Sequence, residues 1–159
     1  MPGFDHLESA LKSTVWPAVP TPRAAQMLAL LFQLEQSQWL TAEELAMRQD
    51  RQLALLLRHA FESCPYYRQR WTKVGLRPGV SLDAESWKQM PLLSRGQVQE
   101  FGVRLRSKSL PKEHGATSIS YTSGSTGQPV EVQGTALTGL FWNALTLRDH
   151  LWHRRELRG

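Results

Sequence analysis

The chain has 159 residues, of which 41% are hydrophobic and 21% are charged, and its net charge is +5 at pH 7. Proportions of this kind are those of globular proteins, which excludes wholesale disorder and a long coiled coil, and the length suits one domain. The longest unbroken apolar run covers only residues 27–32. Because a membrane-spanning helix needs roughly 20 apolar residues, no membrane span is predicted.

The positive charge is spread along the chain and forms no run of five basic residues. Scattered basic side chains are typical of a solvated surface and do not predict nucleic-acid binding, although a basic balance favours anionic ligands such as nucleotides. The single cysteine excludes an internal disulfide. The N-terminus also lacks the basic start and apolar stretch of a secretory signal, so a cytoplasmic location is expected.

Two helices are predicted in the first part of the chain. Pro22 suits a first helical position, and helical apolar spacing continues to about Trp39. A second helix begins at Thr41, where Glu44 completes a capping box, and it ends before Pro65. Both helices have an apolar stripe expected to face a core, formed by Met27, Leu28, Leu31 and Leu34 in the first helix and by Leu53, Leu56, Leu57, Ala60 and Phe61 in the second.

Shorter helices follow. One covers residues 66–74 and stops at Gly75, a residue suited to a left-handed helix cap. Another short helix is predicted over residues 83–90, and a capping signature at residues 94–97 opens the next. Residues 108–115 are predicted to form a polar connector.

The pattern then changes from helix to strand. Polar and apolar residues alternate in residues 118–121 and again in residues 130–133, which predicts two strands joined by a turn. Thr135 can cap a final helix with the stripe Leu137, Leu140, Phe141, Ala144, Leu145 and Leu151. We therefore expect an α/β fold, with a mainly helical region over residues 1–115 and a strand, loop, strand and helix over residues 116–159.

The predicted turn carries the distinctive chemistry. Residues 121–129 read YTSGSTGQP, which combines small hydroxyl side chains with two closely spaced glycines. Glycines let backbone N–H groups converge on an anion, and small hydroxyls add hydrogen bonds without bulk, so the segment is suited to polyphosphate. A Walker-type loop is excluded because Gly127 is followed by Gln128 and Pro129 and then by a strand pattern, instead of Lys and a helix. A Ser/Gly surface linker is the remaining alternative.

The loop resembles the phosphate loop of the adenylate-forming superfamily, which joins two strands and holds the phosphates of ATP. Two upstream segments, LLRHAFESCPYYRQRW at residues 56–71 and MPLLSR at residues 90–95, resemble the N-terminal region of phenylacetate-coenzyme A ligases and of related proteins found with capsule-polysaccharide genes. The resemblance covers about residues 50–159. It implies that the helical region and the strands open the large AMP-binding domain of such an enzyme.

The resemblance also implies an activity and a site. Enzymes of this family activate a carboxylic acid with ATP and Mg²⁺, release pyrophosphate, and pass the acyl adenylate to a thiol, often that of coenzyme A. The residues implied to bind the β- and γ-phosphates are Thr122, Ser123, Gly124, Ser125, Thr126 and Gly127. Many members have Lys and then Gly after the proline, whereas this chain has Val130 and Glu131 and so lacks that direct cation.

The family's adenine pocket, metal-binding acid, ribose-binding aspartate and catalytic lysine would all follow Gly159. We therefore expect an N-terminal fragment that is inactive alone, without assignable catalytic residues, whose nucleotide and carboxylic acid substrates belong to the full-length enzyme. The alternative is a non-catalytic helical interaction module that keeps a vestigial phosphate loop. The carboxylic acid, the choice between coenzyme A and a carrier protein as acceptor, and the oligomeric state stay open.

Other chemically capable residues have simpler interpretations. His150 and His153 have ligand spacing, but no cluster of acids or cysteines completes a metal shell, so a solvated helix end is expected. Cys64 precedes a proline at a helix end without a paired histidine motif, and it is interpreted as structural. His59 is interpreted as a surface or boundary residue.

Arginines and tryptophans near the predicted helices also have simpler interpretations. Arg148 and Arg154 would approach a phosphate or carboxylate only in a full-length enzyme, and are otherwise solvated helix charges. The spacing of the tryptophans indicates core or boundary anchors and not a stacking platform; these are Trp16, Trp39, Trp71, Trp87, Trp142 and Trp152.

Overall fold

The computed structural model describes residues 9–77, 84–122, 127 and 129–155. The chain is mixed α/β, mostly helical, with one small antiparallel sheet of two strands. The elements in chain order are α1 (Pro22–Ser37), α2 (Ala42–Ser63), α3 (Pro65–Lys73), α4 (Ala84–Lys88), α5 (Arg95–Phe101), a 3₁₀ turn (Gly102–Leu105), a second 3₁₀ turn (Lys112–His114), β1 (Thr117–Tyr121), β2 (Glu131–Thr135) and α6 (Ala136–Trp152).

The chain divides into two compact units, one formed by Thr41–Thr138 and the other by Met1–Leu40 with Gly139–Gly159. Their boundaries differ from the predicted division between residues 115 and 116, which stays a prediction. Among the described helices, none is both long and apolar enough to cross a membrane.

In the unit that contains both termini, α1 begins as predicted after Thr21, whose hydroxyl accepts a hydrogen bond from Ala24 N at 3.3 Å. The helix ends at Ser37, two residues before the predicted end at Trp39. Within this unit Glu35 Oε1 of α1 pairs with Arg148 Nε of α6 at 3.2 Å. Ala144 of α6 is fully buried.

The larger unit starts with the predicted capping box. Thr41 Oγ1 accepts from Glu44 N at 3.2 Å, and Glu44 Oε2 accepts from Thr41 N at 3.0 Å. At the other end of α2, Arg68 donates to the carbonyls of Phe61 and Glu62, and so satisfies acceptors that the helix end leaves free. The corner between α2 and α3 is thereby closed by a side chain of α3.

The core of the larger unit is aromatic and small. Tyr66 and Trp71 are buried on α3, and Tyr66 contacts the ring of Phe101 with centroids 5.2 Å apart. Tyr67 lies between them, 5.5 Å from Tyr66 and 5.1 Å from Trp71. Gly75 ends this segment with φ +75°, the left-handed conformation predicted from the sequence.

The two strands form the predicted hairpin. They pair antiparallel with Thr117 opposite Thr135 and Tyr121 opposite Glu131, so β2 continues through Gly134. Thr135 Oγ1 then accepts from Thr138 N at 3.2 Å and starts α6, as predicted. A predicted capping box also opens α5, where Ser94 and Gln97 exchange hydrogen bonds.

Burial of the large apolar side chains is lower than the sequence predicted. Leu56 of the α2 stripe is 58% exposed, and α1 contains no fully buried residue. Of the six tryptophans, all of which are described, only Trp71 is buried, and Trp39 and Trp142 are 79% and 71% exposed. The prediction of core or boundary anchors is therefore wrong for Trp39 and Trp142, whose side chains are mostly exposed to solvent.

Candidate functional site

The candidate phosphate loop joins β1 to β2. Two hydrogen bonds join the two ends of the loop: Thr122 N donates to Val130 O at 3.0 Å, and Val130 N donates to Thr122 Oγ1 at 3.0 Å. The hydroxyl of Thr122 therefore acts as an acceptor where the loop meets the strands. Of the predicted phosphate ligands, Ser123, Gly124, Ser125 and Thr126 lie outside the described residues.

Gly127 is the other described ligand candidate. Its φ of +149° lies in the region that favours glycine, and a Cβ built there would meet no atom within 4 Å. The same open space is found beside Gly75 and Gly139, so it does not by itself indicate a ligand. All six phosphate-ligand assignments, those of Thr122 and Gly127 included, stay predictions.

Glu131, which follows the loop, has two side-chain partners. Its carboxylate pairs with the guanidinium of Arg106, and its Oε2 accepts from Tyr121 Oη at 3.3 Å. The ion pair links Arg106, the residue after the first 3₁₀ turn, to the loop end of the hairpin. It also means that the carboxylate next to the loop does not carry an uncompensated negative charge toward a phosphate.

A cleft of about 740 Å³ adjoins the hairpin within the larger unit. One wall is formed by α2 and α3, a second by α5 with the 3₁₀ turn, and the third by residues 129–133 and Thr135. Volumes of this order are usual for small-molecule sites. The cleft therefore places the loop flank, through Pro129 and Val130, beside a concave and partly apolar surface.

His59 forms a polar junction on the wall of this cleft. Its Nε2 lies 3.2 Å from Ser63 Oγ and 3.1 Å from Ser107 Oγ. Each hydroxyl already donates to a carbonyl, Ser63 to His59 O at 2.5 Å and Ser107 to Ser109 O at 2.6 Å. With both hydroxyls donating to carbonyls, we infer that the ring carries its proton on Nε2 and that this one N–H is shared between the two hydroxyl oxygens.

Cys64 and Tyr67 lie beside this junction. Cys64 is buried, with Sγ 3.8 Å from Ser63 Oγ, which is consistent with the structural role predicted for it. Burial raises the pKa of the Tyr67 hydroxyl, and the neighbouring Cys64 and Tyr66 raise it further. Tyr67 is therefore a neutral phenol at physiological pH.

Sequence reasoning missed the partners of His59. The prediction placed it at the surface or the boundary, and the structure has it half-buried at a junction between α2 and the segment after the 3₁₀ turn. A local signal existed, since Ser63 lies one helical turn after His59. Ser107 is distant in sequence, and no short-range pattern identifies it.

The remaining candidates lie near the end of α6 or just after it. His153 Nε2 lies 3.4 Å from Asp149 Oδ1, and Arg155 Nη1 lies 3.2 Å from Asp149 Oδ2. Arg154 has φ +48° at the end of the helix. Arg148 pairs with Glu35, as described above, and its guanidinium lies 4.0 Å from the ring centroid of Trp152. These residues belong to the unit that contains the termini.

No family model matches the chain, and no curated protein matches it.

Proposed function

We propose that the β1–loop–β2 hairpin binds the β- and γ-phosphates of ATP, as part of an adenylate-forming ligase similar to phenylacetate-coenzyme A ligase. The observation that carries the proposal is the hairpin itself: a strand lies on each side of the SGSTGQP segment, and a hydrogen bond between Thr122 and Val130 joins the two ends of the loop. A Walker loop would lead into a helix at this point. The antiparallel hairpin favours the strand–loop–strand arrangement of the superfamily.

In this proposal the hairpin stabilises negative charge on the departing pyrophosphate. Hydroxyl and backbone N–H donors from the loop would surround the phosphates, with Mg²⁺ shared between them. The pairing of Glu131 with Arg106 supports the role, because it compensates a carboxylate that lies beside the loop. The carboxylic acid, and coenzyme A as the acceptor, would be the other substrates of such a ligase.

Titration calorimetry with Mg-ATP tests the phosphate role of the loop. We expect the 159-residue chain to bind Mg-ATP. The double variant S123A/T126A should lose that binding, because it removes two of the loop hydroxyls that would donate to the phosphates. The matched control S118A/S120A removes two hydroxyls from β1, outside the loop. Binding that persists in S123A/T126A, or that is lost equally in the control, contradicts the proposal.

A second function, a helical interaction module with a vestigial loop, is favoured by one observation. On α6, Trp142, Leu145 and Trp152 are about half exposed or more and recur at helical spacing. Contiguous exposed apolar side chains mark interaction surfaces. Sedimentation velocity separates the two functions: association that is lost in W142Q/L145Q, in a chain that does not bind Mg-ATP, supports the module.

A further inference from the structure

A second cavity of the larger unit lies away from the hairpin. It has a volume of about 430 Å³ and is enclosed by α3, α5 and the first 3₁₀ turn, with Pro91 at its edge. Three of its lining residues are cations, Arg70, Lys73 and Arg104, and its described lining contains no aspartate or glutamate. A concave surface with cations and without carboxylates has a positive potential that concentrates anions.

Two of the cations are held in place by aromatic residues of the core. The guanidinium of Arg70 lies 5.4 Å from the ring centroid of Tyr66 and donates to the hydroxyl of the same residue. The guanidinium of Arg104 lies 5.5 Å from the centroid of Phe101. Because Tyr66 is buried and packs on Phe101, the platform under both guanidinium groups is fixed before any ligand arrives.

The charges of these cations are not compensated within the described part of the chain. The ion pairs found there join other residues, and none of them includes Arg70, Lys73 or Arg104. Arg104 Nη2 donates to the neutral amide oxygen of Gln69 at 3.3 Å, and this contact leaves the positive charge in place. The remaining N–H groups of the two guanidinium groups and the ammonium of Lys73 are available as donors.

Neutral donors complete the lining. Gln97 uses its side-chain oxygen to accept from Ser94 N at 3.0 Å, and Gln69 uses its oxygen for Arg104, so the amide NH₂ group of each can donate. Planar guanidinium groups bind phosphate in a bidentate manner, and a lysine adds a point charge. Three cations together suit a ligand with more than one negative charge.

We propose that Arg70, Lys73 and Arg104 form a binding site for a small polyphosphate anion, separate from the hairpin. The site involves none of the residues of the phosphate loop, and it stands whether or not the chain is part of a ligase. The Tyr66 and Phe101 rings that support the guanidinium groups make the platform rigid, and the cavity volume admits a diphosphate group.

Calorimetry with inorganic pyrophosphate, without Mg²⁺ and at low ionic strength, tests the site on the 159-residue chain. The test variant is K73Q/R104Q, which leaves Arg70 on the buried Tyr66. The matched control is R48Q/R51Q, which removes the same charge from the exposed face of α2. The loop variant S123A/T126A reports on the hairpin, and circular dichroism checks that each variant is folded.

We expect pyrophosphate to bind with an affinity that is lowered roughly 10-fold or more in K73Q/R104Q, as the loss of charge-assisted hydrogen bonds implies. The pyrophosphate affinity of R48Q/R51Q should stay within about twofold of that of the unmodified chain, because neither arginine lines the cavity. Equal weakening in K73Q/R104Q and R48Q/R51Q would overturn the proposal in favour of general charge attraction. Loss in S123A/T126A alone, or no binding by the unmodified chain, would overturn it as well.

Discussion

At the scale of single residues, His59 links two separate stretches of chain through one ring nitrogen. Nε2 donates to Ser63 on its own helix and to Ser107, 48 residues further along. Lys108 N donates to Ser63 O at 2.9 Å, so the two stretches are joined by backbone as well as by side chain. One wall of the cleft beside the hairpin therefore contains a hydrogen-bonded junction between the two stretches.

Replacing His59 tests this junction. We expect H59L to lower the free energy of unfolding by about 1–2 kcal/mol, because Ser63 and Ser107 lose a shared donor in a half-buried place. H59Q keeps an N–H donor and should recover part of the loss. Urea unfolding of both variants measures the difference. If H59L is as stable as the unmodified chain, or less destabilised than H59Q, the ring does not act as the donor.

The ion pair of Arg106 with Glu131 is the second residue-scale link, between the 3₁₀ turn and the hairpin. Both side chains are about one third exposed, at 32% and 31%, so solvent screens the pair. A double-mutant cycle of R106Q, E131Q and the double variant should give a coupling free energy of about 0.5–1 kcal/mol that decreases with added salt. A coupling of zero at low salt would show that the two side chains do not stabilise each other.

At the scale of elements, the features that the sequence predicts are local. The capping boxes at Thr41 and Ser94 each involve residues three apart, and the hairpin follows from the period of residues 118–121 and 130–133. The bonds of His59 to Ser107 and of Arg106 to Glu131 could not be predicted, because they join residues far apart in sequence. Exposure of Leu56 could not be predicted either, since helical spacing does not tell how much core a helix meets.

Two glycines offer a matched test of how the hairpin joins α6. Gly75 and Gly115 have nearly the same φ, +75° and +73°. A Cβ on Gly75 would meet nothing within 4 Å, whereas a Cβ on Gly115 would lie 2.9 Å from Ala136 Cβ. G75A should therefore cost about 1 kcal/mol of stability from backbone strain alone. G115A should cost a further 1–3 kcal/mol or so, from overpacking against the start of α6 and from a ψ of −162° that, with this φ, is essentially open only to glycine.

Thermal or urea unfolding of G75A and G115A measures this difference directly. Equal destabilisation by the two substitutions would mean that the segment before β1 can move away from Ala136 without cost. In that case the start of α6 would not be held by the close approach at Gly115.

At the scale of the whole molecule, the two proposals place anions at two different surfaces of the larger unit. At the hairpin the donors would be hydroxyls and backbone N–H groups, and the Glu131 carboxylate beside the loop is paired with Arg106. The second cavity offers cations supported by aromatic rings. Only the hairpin site was predicted from the sequence. The cations of the second cavity come from α3 and from the 3₁₀ turn, which the fold brings together.

Stability at alkaline pH is the property of the whole molecule that Tyr67 should control. The pKa of its hydroxyl is raised above the ordinary value of 10.0, chiefly by burial and further by Cys64 and Tyr66. The folded chain therefore keeps the proton at a pH where the unfolded chain releases it. The contribution of this group to folding is fully present below the unfolded pKa, and it is lost as pH rises from that value through the folded pKa.

Urea unfolding near pH 8 and near pH 11 measures this loss, on either side of the unfolded pKa of roughly 10. We expect the free energy of unfolding to fall between the two values in the unmodified chain, and to fall by less in Y67F, which has no phenol to ionise. The difference in tyrosinate absorbance between the two proteins should titrate above pH 10.0. An equal fall in both proteins, or titration of Tyr67 at its ordinary pKa, would mean that the aromatic core admits water around this hydroxyl.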